Sequence, residues 1–118
     1  MRFSELSTVM TLKGAEILIF PGEFNLTTGP LHWKLLLQAK AVDNQIFTIG
    51  VSTSLNKNQS YQAYRHSLIV NPLEKIIAEA NSEEELLIAE IDLNEISIVR
   101  KKLPIIKNKR NNLYQLKY

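Results

Sequence analysis

The most reactive side chain is missing from this sequence: its 118 residues include no cysteine. That composition excludes a thiolate nucleophile, a zinc-thiolate site and a disulfide. Of the two histidines, His32 has no second histidine at ligand spacing and reads as a packing or capping residue rather than a metal ligand. His66 and Ser67 resemble half of a Ser/His pair, but neighbours on a strand point to opposite faces and the sequence places no partner acid. Nothing in the pattern calls for a cofactor or a metal. Two places remain: Arg2, three residues before Glu5 and able to pair with it locally, and Pro21-Gly22-Glu23-Phe24-Asn25. Phe24 fits a core anchor and Asn25 a turn residue that hydrogen-bonds its own backbone.

The elements around these residues follow from apolar spacing and from proline and glycine stops. Ala15 to Phe20 is a short apolar run bounded by Gly14 and Pro21-Gly22, the pattern of a central strand covered on both faces. A loop leaving such a strand is where open sheets place ligands, which makes Pro21 to Gly29 the first candidate for function. Thr28-Gly29-Pro30 puts a proline at the first position of a long helix. Leu31, Leu35, Ala39 and Val42 follow at helical spacing with Trp33 as a core anchor, and Asp43-Asn44-Gln45 ends the helix on polar side chains. Ser4 to Lys13 is expected to be a helix capped by Ser4, with Leu6, Val9 and Met10 on one face. Strands are expected at Ile46 to Ser52, His66 to Val70, Ile76 to Ala80 and Leu86 to Ile91, with a polar loop from Asn56 to Ser60. A helix from Asp92, its cap, carries Leu93, Ile96, Val99 and Leu103 and stops at Pro104.

The totals bound the rest. A hydrophobic content of 45% and a charged content of 22% suit one soluble globular domain. A net charge of +2 is too small for a nucleic-acid or membrane surface, and no apolar run reaches the length of a membrane span. Arg100, Lys101, Lys102, Lys107, Lys109 and Arg110 crowd the C-terminal end, but without interleaved aromatics they read as a solvated tail. The N-terminus shows no secretory h-region, so a cytoplasmic location is expected. Residues 105–118, apolar at first and basic after, are expected to pack on a partner or second subunit.

The segment PGEFNLTTGPLHWKLLLQAKAVDNQ resembles the corresponding part of the carbon-nitrogen hydrolase, or nitrilase, superfamily, most closely its omega-amidase branch. MRFSEL, HSLIVNP, IDLNEISIVRKKLP and KRNNLY extend the likeness over nearly the whole chain. The resemblance implies an α/β fold, half of a four-layer α-β-β-α sandwich, with residues 1–118 as its C-terminal half. It implies hydrolysis of amides of omega-amido 2-oxo acids, through a cysteine nucleophile, a glutamate base and a lysine that stabilises the oxyanion. In the family that cysteine lies in a Cys-Tyr-Asp sequence just before the residue matching Met1. All three groups are expected to lie outside this chain, leaving it inactive alone.

By the same resemblance Arg2 reaches the substrate carboxylate while Phe24 and Asn25 line the acyl side of the pocket. Glu23 stands where the family has a small residue, adding a carboxylate that would repel an anionic substrate. Glycines of the family are replaced by Arg65, Glu74 and Asn81, and a proline and an arginine by Thr53 and Leu55. Glu tolerates a left-handed backbone poorly. Three readings follow: the C-terminal piece of an amidase, with a small-molecule amide substrate once completed; a degenerate remnant; or an interaction module that pairs with an intact homologue or a second copy.

Overall fold

The computed structural model describes residues 1–53, 58 and 60–117; most of the expected polar loop at 56–60, and Leu55, lie outside the described residues. Helix α1 (Ser4–Leu12) leads to strand β1 (Ile17–Pro21), a two-residue strand β2 (Phe24–Asn25) and the long helix α2 (Thr28–Asn44). Strands β3 (Phe47–Val51), β4 (Ala63–Tyr64), β5 (Leu68–Val70) and β6 (Ile76–Glu79) follow, and helix α3 (Asn94–Lys102) closes the order. The main sheet has four strands in the order β1-β3-β5-β6, and β2 pairs with β4 in a separate ribbon. The β1 and β3 strands are parallel with Ile19 opposite Ile49, as expected of strands joined through a crossover helix. The β3-β5 and β5-β6 pairs are antiparallel. It is the mixed α/β architecture that the sequence implies.

Leu68 and Val70 on the sheet and Trp33, Leu37 and Ala41 on α2 form the core, with Phe20, Phe24 and Tyr64 packed against it. Thr48 belongs to the same face and donates its hydroxyl to the Leu37 carbonyl at 2.9 Å. Gly50 is required there, because a Cβ would sit 2.8 Å from the Trp33 ring. Alternation then sends Ile17, Ile19 and Val51 to the other face, where Ile19 is 60% exposed and Val51 44%. Ala15 to Phe20 is therefore an edge strand with one open face, contrary to the expected central strand. The continuous apolar run reports the need for cover on both sides, and this chain supplies one.

Both N-terminal helices differ from their expected burial. The α1 helix buries Ser7 and Thr11 and leaves Leu6 and Met10 exposed, and α2 buries Gly29, Trp33, Leu37, Lys40, Ala41 and Asn44 while Leu31 and Leu35 stand in solvent. The buried Thr11 hydroxyl is satisfied within α1, donating to the Ser7 carbonyl at 2.9 Å. Capping differs as well. Phe3 holds the N-cap position of α1 without a side-chain bond and Ser4 is its first helical residue. Pro30 lies third in α2, still within the first turn whose N–H groups lack helical partners. At the far end of α2, Gln45 adopts a left-handed backbone (φ 51°), and Asn44 donates to the Lys40 carbonyl at 2.9 Å.

Among the described residues, Leu86 to Ile91 pairs with no strand. Its exposed Leu86 and Ile88 alternate with half-buried Leu87 and Ala89, which is the strand signal; a strand also needs a hydrogen-bonding neighbour. The α3 helix buries Ile96 and Val99 but leaves Leu93 and Leu103 exposed. Asp92 accepts from the Asn94 amide at 2.9 Å, one residue before the Leu93 N-cap position. In the β5-β6 turn, buried Asn71 accepts from the amides of Leu73 (3.0 Å) and Lys75 (2.9 Å), and Glu74 sits at φ 71°. Among the described residues, no helix is long and apolar enough to cross a membrane.

Two substitutions test this packing in opposite directions. A Cβ at Gly29 would overlap the Tyr64 side chain, so Gly29→Ala is expected to destabilise by about 1–3 kcal/mol. Glu74→Gly relieves a left-handed backbone and is expected to stabilise by about 0.5–1 kcal/mol. Urea denaturation midpoints at unchanged slope measure both.

Candidate functional site

The candidate site forms where β1 ends and α2 begins. Gly22 donates its N–H to the Val51 carbonyl at 2.9 Å, turning the chain off the sheet into β2. There Phe24 lies opposite Tyr64 and Asn25 opposite Ala63, so part of the expected loop is a strand. The Phe24 ring meets Trp33 edge-on, with centroids 5.2 Å apart. Trp33 is wholly buried and its indole N–H donates to the His66 carbonyl at 2.6 Å. A half-buried aromatic is thereby fixed at the C-terminal end of β1.

Arg2 comes to the same place from the start of the chain. Its guanidinium carbon stands 4.8 Å over the Phe24 ring, a cation–π contact, and Nη1 donates to His32 Nδ1 at 3.3 Å. Since arginine only donates, Nδ1 of His32 is the acceptor in this contact. The local partner expected for Arg2, Glu5, is not used. An exposed guanidinium on an aromatic platform, with its planar fork partly free of intramolecular bonds, suits a carboxylate ligand. Glu23 faces water.

Asn25 is engaged by the fold. Its side-chain oxygen accepts from the backbone amides of Thr27 (3.0 Å) and Thr28 (2.7 Å) and from the Thr28 hydroxyl (3.0 Å). It thus satisfies amides at the start of α2, which Thr27 in the N-cap position does not do with its own side chain.

Beside this site lies a charged cluster with a member the sequence did not disclose. Lys34 and Glu79 pair at 2.8 Å, and His66 Nδ1 lies 3.9 Å from the same carboxylate oxygen. An acid therefore does stand near His66, brought there by the β5-β6 register that sets Leu68 opposite Glu79. The signal for it was the hairpin itself. Ser67, however, exchanges hydrogen bonds with Ser52, accepting from its amide at 3.0 Å and donating to its carbonyl at 3.3 Å, so no Ser/His pair forms. The Glu79 carboxylate raises the Lys34 pKa above the ordinary lysine range, chiefly through their hydrogen bond. The contribution of this exposed pair is small and is lost only at alkaline pH, as Lys34 deprotonates. Arg65 is buried and donates to the Gln62 side chain at 3.3 Å. Among the described residues, no group of three or more His, Asp or Glu is gathered as a metal site.

Residues 1–101 match the carbon-nitrogen hydrolase family. An omega-amidase of Danio rerio is 44% identical over 115 residues, which is 98% of this chain and 42% of that protein. The human omega-amidase is 41% identical over 114 residues, 97% of this chain and 41% of its own length. A crystal structure of a Saccharomyces cerevisiae member of branch 10 of the nitrilase superfamily superposes with a TM-score of 0.87 at 44% identity, covering 93% of this chain and 40% of that one. The C. elegans NitFhit protein superposes with a TM-score of 0.91 at 35% identity, over 97% of this chain and 28% of that protein. The chain spans about two fifths of the length of the curated relatives it matches.

Asn25→Ala removes the acceptor of two helix-start amides and is expected to cost about 0.5–2 kcal/mol, with Asn25→Asp retaining most of it. Thermal unfolding of the two variants side by side measures the difference.

Proposed function

Because the chain belongs to the carbon-nitrogen hydrolase family, we propose that it supplies the C-terminal portion of an omega-amidase-type enzyme acting on amides of omega-amido 2-oxo acids such as 2-oxoglutaramate. The observation that carries this reading is the Arg2 guanidinium held 4.8 Å over the Phe24 ring. In the proposed enzyme Arg2 takes the substrate carboxylate, Phe24 forms the apolar wall beside the acyl chain, and Asn25 holds that wall at the start of α2. The attacking thiolate, the glutamate base and the oxyanion-stabilising lysine come from a segment that completes the site. A thiolate is needed because the acyl group must pass to a nucleophile stronger than any activated here, and this sequence has no cysteine.

The partners of this reading are that completing segment and a second copy or a homologue, with residues 105–118 lying along the partner. Exposure of Leu113 (68%) and Tyr114 (53%) in the isolated chain supports that role for the tail. The compartment proposed is the cytoplasm. A second reading, a non-catalytic remnant, is favoured by Glu74 at φ 71° and by buried Arg65, both at positions where the resemblance implies a glycine.

One assay separates the two. The chain alone is expected to release no ammonia from 2-oxoglutaramate above background, and turnover is expected when a segment ending in Cys-Tyr-Asp and bearing the other two groups is supplied. Ammonia release proportional to the concentration of the chain alone overturns the division of roles, and failure of the completed protein to turn over favours the remnant. In the completed enzyme, Arg2→Met is expected to raise KM for the anionic substrate about 10–100-fold and to leave a neutral amide little changed.

A further inference from the structure

Arg2 reaches the candidate site from outside α1, which begins at Ser4, so no helical turn restrains it. An exposed arginine left to solvent spreads over many rotamers, and a ligand that ordered it would bear that entropy. Two contacts restrict the side chain before a ligand arrives. The Phe24 face, 4.8 Å from the guanidinium carbon, sets where the group sits but leaves it able to turn above the ring. The bond from Nη1 to His32 Nδ1, at 3.3 Å, stops that turn and leaves the other donors of the fork for a ligand. Platform and acceptor share one anchor, because Phe24 packs edge-on against Trp33 and His32 precedes Trp33 on α2.

The type of acceptor matters as much as its place. Among the described residues no carboxylate forms an ion pair with Arg2. An aspartate or glutamate in the place of His32 would orient the guanidinium and also cancel its charge. An imidazole nitrogen accepts the hydrogen bond without carrying a negative charge, so the guanidinium is oriented and keeps its attraction for an anion.

We propose that His32 is a positioning residue for carboxylate recognition: it holds Arg2 over Phe24, in the orientation that takes the substrate carboxylate, without neutralising it. The inference rests on the reading of Arg2 as the carboxylate-binding group. His32 acts through Arg2 alone, so its removal should matter only while Arg2 is present.

The test has two arms. On the full chain, which holds two histidines, histidine side-chain nitrogen NMR at about pH 8 is assigned with His66→Gln. His32 is expected to carry its proton on Nε2, and its Nδ1 signal to move in Arg2→Met. A proton resident on Nδ1, or a signal indifferent to Arg2→Met, overturns the proposal. In the completed protein the readout is the Kd for 2-oxoglutarate, the anion that hydrolysis of 2-oxoglutaramate leaves, which requires no turnover. His32→Leu and His32→Asp are each expected to weaken it about tenfold, and His32→Asn, which keeps a neutral acceptor near the place of Nδ1, to stay within about twofold of the unaltered protein. Arg2→Met/His32→Leu is expected to bind no more weakly than Arg2→Met. Affinity unchanged by Arg2→Met, or absent from the unaltered protein, overturns the reading of Arg2 and this inference with it. Affinity weakened by Arg2→Met but not by His32→Leu, equal affinity of the His32→Asp and His32→Asn variants, or a further loss in the double variant overturns this inference alone.

Discussion

Trp33 is the contact on which the arrangement depends. Its ring fills the space that Gly50 leaves on the sheet and passes close to Gly22, where a Cβ would lie 3.5 Å away. Its N–H reaches the His66 carbonyl, and its edge supports Phe24. One side chain thus ties α2 to the sheet, the sheet to His66 two residues before β5, and both to the aromatic that carries Arg2. Burying an indole of this size contributes several kcal/mol of apolar stabilisation, and the hydrogen bond prevents the N–H from becoming a buried cost. Phe24 is positioned at the candidate site by its contact with the fully buried Trp33.

The second constraint is directional. Helices α1 and α2 pack on each other, α1 burying Ser7 and Thr11, and turn Leu6, Met10, Leu31 and Leu35 outward. The sheet packs one face on α2 and turns Ile17, Ile19 and Val51 outward. Single exposed apolar residues are ordinary, but here they stand on both outer sides of the paired helix and sheet layers. That organisation agrees with a chain spanning about two fifths of its curated relatives. A sheet face rich in β-branched residues gains most from a second sheet laid upon it.

Much of the fold was legible because the signals were local. Gly14 and Pro21-Gly22 bracket β1, Pro30 marks the first turn of α2, and Asn71-Pro72 marks the β5-β6 turn. What could not be read was which side of an apolar element faces inward. Leu6 and Met10 are core residues by spacing and surface residues in the structure, where α1 instead buries Ser7 and Thr11. Leu86 to Ile91 has strand alternation with no strand to pair with, and strand pairing is a long-range property. At the site, Phe24 and Trp33 were readable as aromatic anchors, and Arg2 as a cation of interest. The Glu79 carboxylate beside His66 depended on hairpin register, which a one-residue shift would have reversed.

The central claim is that the face bearing Ile19 and Val51 is built to be covered. Sedimentation velocity of the isolated chain across a concentration series, beside an Ile19→Lys/Val51→Lys double variant, tests it most directly. The unaltered chain is expected to self-associate as concentration rises, and the double variant to remain monomeric with its circular dichroism unchanged. A monodisperse monomer of the unaltered chain at all concentrations, with a sharp thermal transition, would contradict the account.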